Sequence, residues 1–168
     1  MKKTAEERFW RKVNKTDGCW LWTAGCRPDG YCQFWYGGKY VLAHRFSYAL
    51  ANGDIPEGLQ VDHRCFQRNC VRPEHLRLAT QAQNLQHRRG ANSNNATGVR
   101  GVYWDKNRRK YRALVGLSGK QHNVGLYDTL KEAEAAVVAK RLQMYTHDDH
   151  AEWAASAEEA PTPGDHVL

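Results

Sequence analysis

The sequence contains no uninterrupted apolar run of about 18 residues, so it offers no transmembrane helix. Its first seven residues lead into an amphipathic segment rather than an apolar one, which is not typical of a secretory signal. We therefore expect a cytoplasmic protein that does not associate with a membrane. In that compartment the five cysteines are expected to bind metal or stay reduced rather than form disulfides.

The end of the chain lacks positive charge. No Lys or Arg follows Arg141, whereas six acidic residues follow Tyr145. The whole chain carries a formal charge of +7, so the part before this acidic tail carries +13. Such a basic body indicates a polyanionic partner. Residues 147–168, rich in Ala, Glu and Pro, are predicted to be a disordered tail.

The 168 residues are enough for one ordinary domain or two very small ones. The segment from Gly90 to Thr97 has the Gly, Ala, Asn and Ser content of a linker. We predict a first domain over residues 1–90, a linker over 91–97 and a second domain over 98–146, before the tail.

Both domains are predicted to be of the α+β class. In the first, Thr4 followed by Glu7 is a capping box that predicts a helix, and Gly37-Gly38 predicts a hairpin turn. The predicted elements of the first domain are a helix at 4–13, a hairpin at 31–42, a helix at 43–52, a strand at 59–63 and a helix at 78–88. Those of the second are strands at 99–104, 111–117 and 121–126 and a helix at 130–145.

The stretch from Val61 to Asn84 concentrates side chains that bind metal ions. Asp62 offers a hard oxygen ligand, which suits Mg²⁺ or Mn²⁺. Cys65 and Cys70 offer soft sulfur, which suits Zn²⁺. Two kinds of metal site are therefore expected in this small domain.

Five short motifs stand in one order around Asp62 and His63. They are Gly18-Cys19-Trp20-Leu21-Trp22, Ala43-His44-Arg45, Ile55-Pro56-Glu57-Gly58-Leu59, Val61-Asp62-His63 and Pro73-Glu74-His75-Leu76. This order resembles the HNH endonucleases of phages, a group that includes homing enzymes, over about residues 6–90. The resemblance implies a ββα-metal (His-Me finger) fold in which a hairpin and a helix hold one divalent cation.

The resemblance also implies residue roles. His63 matches the general base that activates water, and Asp62 and Asn84 match the oxygen ligands of Mg²⁺ or Mn²⁺. His75 occupies the middle position, where many relatives have Asn. The alternative is that Asp62 and His63 form a hydrogen-bonded structural pair without catalysis. Arg45 either contacts phosphate near the site or lies on a solvated helix face.

A structural zinc site is a second interpretation of His75. Four residues separate Cys65 from Cys70 and Cys70 from His75, and Cys19 can supply a fourth ligand, which gives a Cys₃His site. Alternatively, the cysteines are reduced and bind no metal, or His75 supports the active site. Cys26 and Cys32 match no required position and are expected to be incidental, and His87 is expected at the surface.

The second domain resembles the AP2 DNA-binding domain, which is also found fused to phage HNH enzymes. The resemblance rests on residues 98–104, 110–113, 124–129 and 132–133, and it implies a three-stranded antiparallel sheet on one helix, with the sheet in the major groove. The alternative is a basic sheet that contacts only phosphate. The expected DNA-contacting residues are Arg100, Trp104, Lys106, Arg108, Arg109, Lys110, Arg112 and Lys120.

These observations predict a metal-dependent endonuclease that acts on double-stranded DNA, with a cutting domain and a site-selecting domain, in a phage or prophage homing context. The alternative is a DNA-binding regulator with a degenerate HNH unit. One active site per chain implies nicking by a monomer, whereas a dimer can break both strands, and the sequence leaves the oligomeric state open.

Overall fold

The computed structural model describes residues 3–87 and 90–148. None of the helices within these ranges is both long and apolar enough to cross a membrane. The helices are α1 (Ala5–Trp10), α2 (Ala43–Asn52), α3 (Gln81–Gln86) and α4 (Leu130–Met144), with a 3₁₀ helix at Pro73–His75. The strands are β1 (Val13–Asn14), β2 (Leu21–Trp22), β3 (Gln33–Tyr36), β4 (Lys39–Leu42), β5 (Gln60–His63), β6 (Leu76–Ala79), β7 (Val102–Asp105), β8 (Lys110–Leu117) and β9 (Lys120–Tyr127).

The chain divides into two compact units, residues 1–81 and 82–168, with the boundary inside α3. The domain limits that we predicted from the sequence, with a linker at 91–97, stay a prediction. Within that segment, the Asn95 amide donates to the carbonyls of Val99 and Val102, and the Thr97 hydroxyl also bonds to Val102. Residues with linker composition thus form a hydrogen-bonded turn at the start of β7.

The first unit contains three separate antiparallel strand pairs, β1–β2, β3–β4 and β5–β6. The β3–β4 hairpin turns at Gly37 and Gly38, which both have positive φ values of 59° and 79°, as the sequence predicted. Helix α2 follows β4 directly and ends at Gly53, where φ is 86°. No strand of this unit exceeds four residues, so backbone pairing alone gives it little stability.

Aromatic side chains form the main core of the first unit. Phe9, Trp22 and Phe34 are buried, and the Phe9 ring lies 4.9 Å from Trp22 and 5.2 Å from Phe34. Phe9 is positioned by α1, whose N-terminus has the predicted capping box: the Thr4 hydroxyl accepts from Glu7 N, and the Glu7 carboxylate accepts from Thr4 N. A helix of six residues is therefore fixed by one cap and one buried ring.

Cys26 and Cys32 form a disulfide, so the expectations that the cysteines form no disulfides and that this pair is incidental were wrong. Backbone bonds from Arg27 N to Tyr31 O and from Gly30 N to Arg27 O close the turn between them. The sequence places the two cysteines only six residues apart, but their pairing depends on this turn.

The segment after His75 also differs from expectation. Residues 76–79 form β6 and pair with β5 in the register Asp62–Arg77 and His63–Leu76, whereas we predicted that a helix begins at Leu78. Helix α3 begins only at Gln81. The short alternation Leu-Arg-Leu-Ala becomes a strand because β5, which precedes it in the sequence, offers it a partner. His87, expected at the surface, is buried.

The second unit has one three-stranded antiparallel sheet, β7–β8–β9, and helix α4. Its core is aliphatic and consists of Val102, Ala113, Val115, Ala133 and Val137. Thr129 caps α4 in a capping box with Glu132, at the start of the helix predicted for residues 130–145. Gly101 has a φ of 83°, and a Cβ there would lie 2.5 Å from Leu114 O, so the close approach of β7 and β8 requires glycine.

Candidate metal and catalytic centre

Four metal-binding side chains converge in the first unit: Cys19, Cys65, Cys70 and His75, whose ligand atoms all lie within 4.8 Å of one another. His75 Nδ1 lies 3.5 Å from Cys19 Sγ and 3.7 Å from Cys70 Sγ. A tetrahedral zinc site with Zn–S of about 2.3 Å and Zn–N of about 2.0 Å separates S from N by about 3.5 Å. The structure thus brings together the predicted Cys₃His set in an arrangement compatible with zinc.

Local structure carries the four ligands to this point. Cys70 forms an isolated bridge with Leu21 of β2, which brings it next to the segment that carries Cys19. The Arg72 guanidinium donates to the carbonyls of Asp17 and Gly18, which holds the loop before Cys19. His75 ends the 3₁₀ helix. The cluster therefore joins segments that are distant in sequence.

The three thiols perturb one another. Hydrogen bonding with Cys19, and then with Cys65, lowers the pKa of Cys70 to about 2. Hydrogen bonding with Cys19 and Cys70, together with burial, raises the pKa of Cys65 far above its usual value. Sulfurs this close can hold several negative charges only with a cation between them, because like charges repel. This donor set therefore fits a divalent, thiophilic metal.

His63, at the end of β5, is buried beside the cysteine cluster. Its Nε2 lies 3.0 Å from the backbone carbonyl oxygen of Cys70. A carbonyl can only accept, so Nε2 carries the proton and donates it. In the neutral imidazole, Nδ1 is then the basic nitrogen. One residue, Cys70, thus offers a sulfur to the metal cluster and fixes the tautomer of His63.

Two rings pack against His63. The His44 ring centroid lies 4.6 Å from that of His63, and the Tyr31 centroid lies 6.1 Å from it. Burial, together with the neighbouring charges of His63 and Arg45, lowers the pKa of His44 to about 3. His44 is therefore neutral near neutral pH and places no positive charge beside His63.

Asp62 precedes His63 on β5 and is buried. Its Oδ2 accepts hydrogen bonds from Arg77 Nε at 3.2 Å and Nη2 at 3.1 Å. Arg77 lies directly opposite on β6, so the register of the strand pair sets this contact. The ion pair orients the carboxylate by one of its oxygens.

The remaining residues predicted for this site lie on helices. Arg45 is in the first turn of α2 and is half-buried. Asn84 is on α3, and its place in a metal site stays a prediction. Sequence reasoning missed Arg77 and His44 as neighbours of the pair Asp62–His63. Arg77 was missed because a helix was expected to begin at Leu78, and only recognition of β6 would have placed Arg77 opposite Asp62.

The residues predicted to contact DNA in the second unit do not share one face of the sheet. Arg112 pairs with Tyr103 and Leu126 on the exposed face. Trp104 lies one residue further along β7, on the opposite face, where its ring packs 4.8 Å from Tyr111. Tyr103 and Leu126 are thus exposed neighbours of Arg112 that the sequence did not single out.

Several of the predicted cations have partners within the second unit. Arg108 bonds to Asp105 and Lys110 to Asp128, both at 3.0 Å. The Arg100 guanidinium donates to the carbonyls of Gln86 and Leu85, both at 2.9 Å. The side chains of Lys106, Arg109, Arg112 and Lys120 are exposed.

Comparison with known proteins identifies a family for the segment that carries the Asp62–His63 pair. The sequence model of the HNH endonuclease family matches residues 41–86, which run from β4 through α3 and include Asp62, His63 and the Cys65–His75 segment. No solved structure matches the chain.

The relatives are phage proteins. Protein 3.8 of Escherichia phage T7 is 34% identical over 115 residues, which cover 68% of this chain and 91% of that protein. Protein 7.7 of the same phage is 37% identical over 70 residues, 42% of this chain and 54% of its own length. Protein 2.8 is 35% identical over 81 residues, 46% of this chain and 55% of that protein. The chain thus spans about half the length of Proteins 7.7 and 2.8.

Proposed function

Because the chain belongs to the family of Protein 3.8 of phage T7 and carries an HNH endonuclease domain, we propose that it is a metal-dependent DNA endonuclease. Its substrate is double-stranded DNA, and the bond that it hydrolyses is a phosphodiester. We place its action in the cytoplasm of a phage-infected or prophage-bearing bacterium.

The observation that carries this proposal is the contact between His63 and Cys70. The carbonyl of Cys70 holds the proton on Nε2 and leaves Nδ1 as the nitrogen that accepts a proton from water. His44 beside it is neutral near neutral pH and adds no positive charge there. His63 is therefore proposed as the general base.

Asp62 and Asn84 are proposed to hold Mg²⁺ or Mn²⁺. When bound, such a cation offsets charge on the phosphodiester and on the leaving 3′ oxygen. The two hydrogen bonds from Arg77 to Oδ2 direct the carboxylate of Asp62. With a base supplied by His63, one catalytic cation is enough.

Cys19, Cys65, Cys70 and His75 are proposed to hold a structural zinc ion. The ligands come from segments up to 56 residues apart, and the strands of this unit are short. A metal that joins such segments stabilises the fold in which His63 is held. Its role is structural because all four ligand positions are filled by protein atoms.

The second unit is proposed to select the DNA site through an AP2-like domain over residues 98–146. On the exposed face, the guanidinium of Arg112 can bind the edge of a guanine through two hydrogen bonds. The exposed Lys106 and Lys120 can contact DNA phosphates. Joining the two activities in one chain raises their effective concentration. A homing-type role follows from this arrangement.

A DNA-binding regulator is a second candidate, and the ion pair between Asp62 and Arg77 favours it. A carboxylate that is bonded to a guanidinium is a weaker metal ligand than an unpaired one, because the two cations compete. In this alternative the first unit is a degenerate HNH domain that only stabilises or docks.

The test compares wild type, His63→Ala and His122→Ala on supercoiled plasmid, with Mg²⁺, with Mn²⁺ and without a divalent cation. The proposal expects metal-dependent cleavage by wild type and His122→Ala, and a loss of about 10²–10⁴-fold in His63→Ala. His122 is the matched control because it is a histidine of the second unit without a proposed role.

The product form separates nicked circles from linear DNA, and genomic DNA from the source phage or host replaces the plasmid if target sites are rare. No cleavage by wild type under any condition, with DNA binding retained by all three proteins, would favour the regulator.

A further inference from the structure

The β3–β4 hairpin presents an aromatic surface to solvent. Trp35 is 48% exposed and Tyr40 is 66% exposed, and their rings pack edge to face with centroids 5.0 Å apart. The two residues are a directly opposed cross-strand pair. Large aromatic side chains that cluster on an exposed surface indicate a binding face more often than scattered ones do.

The register of the hairpin separates this surface from the core. Phe34 lies on the opposite face of β3, where it is buried against Phe9 and Phe46. Tyr36 shares that inner face and contacts Phe46 at 4.9 Å. Because side chains alternate along a strand, Trp35 and Tyr40 point away from the core. Packing of the fold therefore does not explain these two rings.

The charge around the hairpin favours a polyanion. Residues 31–52 contain no Asp or Glu, and their charged residues are Lys39, at the turn, and Arg45. Lys39 is exposed and adjoins Tyr40. Aromatic rings that pack on sugars and bases, next to a cation for phosphate, are the usual combination in nucleic-acid binding. A protein partner that binds through apolar contacts would not require a surface without Asp and Glu.

The base of the hairpin lies at the proposed active site. Ala43 N donates to Cys32 O at 2.9 Å, which closes the hairpin where α2 begins. The preceding Tyr31 and the following His44 both contact His63. The pair Trp35–Tyr40 lies four residues further along the strands than Tyr31 and His44, or about 13 Å. DNA with a phosphate at His63 runs within reach of this pair.

We propose that the Trp35–Tyr40 face, with Lys39, is a DNA-binding surface of the nuclease unit that grips duplex DNA beside the cleaved phosphodiester. The rings pack on deoxyribose and base edges, and Lys39 contacts a phosphate. The unit thereby binds DNA in its own right. This inference rests on the proposed endonuclease function.

The test measures binding of duplex DNA by fluorescence anisotropy over a range of salt concentrations, with His63→Ala as a background that cannot cleave. The double substitution Trp35→Ser/Tyr40→Ser is expected to raise the Kd about tenfold. It should leave the slope of log K against log salt unchanged, because packing of the rings does not release counterions. Lys39→Gln is expected to lower the slope of log K against log salt by about 0.9. Leu50→Ser, at an exposed position on α2, is the matched control and is expected to bind as the background does.

Each outcome decides a different question. If the background protein binds DNA and Trp35→Ser/Tyr40→Ser binds equally well, the surface is not a DNA site and the inference is wrong. If that double substitution instead converts a dimer to a monomer in sedimentation, with DNA affinity unchanged, the surface joins two copies and the inference is equally wrong. If wild type neither binds nor cleaves DNA, the proposed function itself fails. Unchanged circular dichroism of the variants establishes that they are folded.

Discussion

The two units of this chain keep their folds by different means. The first has strands of two to four residues, an aromatic core, all five cysteines and the Cys₃His cluster. The second has two strands of eight residues, a helix of fifteen and a core of Val and Ala. It contains no cysteine.

The difference shows how a small unit can compensate for scarce backbone pairing. Short strands contribute few ladder hydrogen bonds, so the first unit relies on cross-links between segments that are distant in sequence. Longer strands and a long helix give the second unit a regular core without such links. Agents that break cross-links should therefore unfold one unit and leave the other intact.

Loss of the proposed structural zinc should have the largest effect. Cys70→Ser, or zinc removal by a chelator, is expected to unfold the first unit, because structural zinc contributes about 10 kcal/mol or more and a small domain has about 5–15 kcal/mol in total. Hydrogen exchange measured by mass spectrometry should show lost protection in residues 3–81 and retained protection in residues 102–144.

Zinc added back should restore the chelated wild type but not Cys70→Ser. Two results would contradict the claim that the first unit depends on cross-links. One is purified protein that contains no zinc, and the other is continued protection of residues 3–81 from hydrogen exchange after stoichiometric zinc release.

Acid should weaken the first unit through His44. Its pKa is about 3 in the fold and 6.5 in its ordinary state, so the unfolded chain binds the extra proton between these values. Stability is fully present above pH 6.5 and falls below it, by about 1.4 kcal/mol per pH unit. Urea unfolding with saturating zinc, followed by tryptophan fluorescence, reports mainly on this unit because four of the six tryptophans lie there.

His44→Gln should lose this part of the pH dependence, since glutamine does not titrate. Identical slopes for His44→Gln and wild type between pH 6.5 and 4.5 would show that His44 is not held neutral by the fold.

Removal of the disulfide should have a smaller effect. Cys26→Ser/Cys32→Ser is expected to cost the first unit about 2 kcal/mol, because the closed loop has only seven residues. The midpoint of urea unfolding should shift for residues 3–81 and stay constant for the second unit. Two free thiols at these positions in the purified protein, found by alkylation and mass spectrometry, would contradict the assignment.

The smallest effects come from the feature that the units share. Thr4 and Thr129 each begin a helix through a capping box, with Glu7 and Glu132 respectively. Thr4→Ala and Thr129→Ala are each expected to cost about 1 kcal/mol, and only in the unit that carries the change. Hydrogen exchange of α1 and α4 in both variants tests this, and a loss of protection in the other unit would contradict it.

Local signals in the sequence predicted much of the fold. The capping box at Thr4, the turn at Gly37-Gly38 and the helix that ends before Gly53 depend on neighbours within a few residues. The Cys₃His cluster was also predictable, because closely spaced Cys and His residues in one segment are typical of metal ligands. Cys19 is the informative case, since it joins the cluster from 46 residues before Cys65, and a resemblance to known enzymes pointed to it.

Non-local pairing explains what the sequence did not reveal. Arg77 meets Asp62 only because β6 pairs with β5, and the four residues of β6 are too few to show a strand period. The burial of His87 and the disulfide of Cys26 and Cys32 depend in the same way on contacts that no local pattern encodes.

The contact between His63 and Cys70 has a consequence for how such a protein can evolve. The hydrogen bond that selects the His63 tautomer ends on a backbone carbonyl, and every amino acid supplies one. Substitution at position 70 therefore cannot delete this acceptor; it can only displace it. The hydrogen bond to the proposed base therefore does not depend on the chemistry of the side chain at position 70, and that side chain is constrained instead by its place in the Cys₃His cluster.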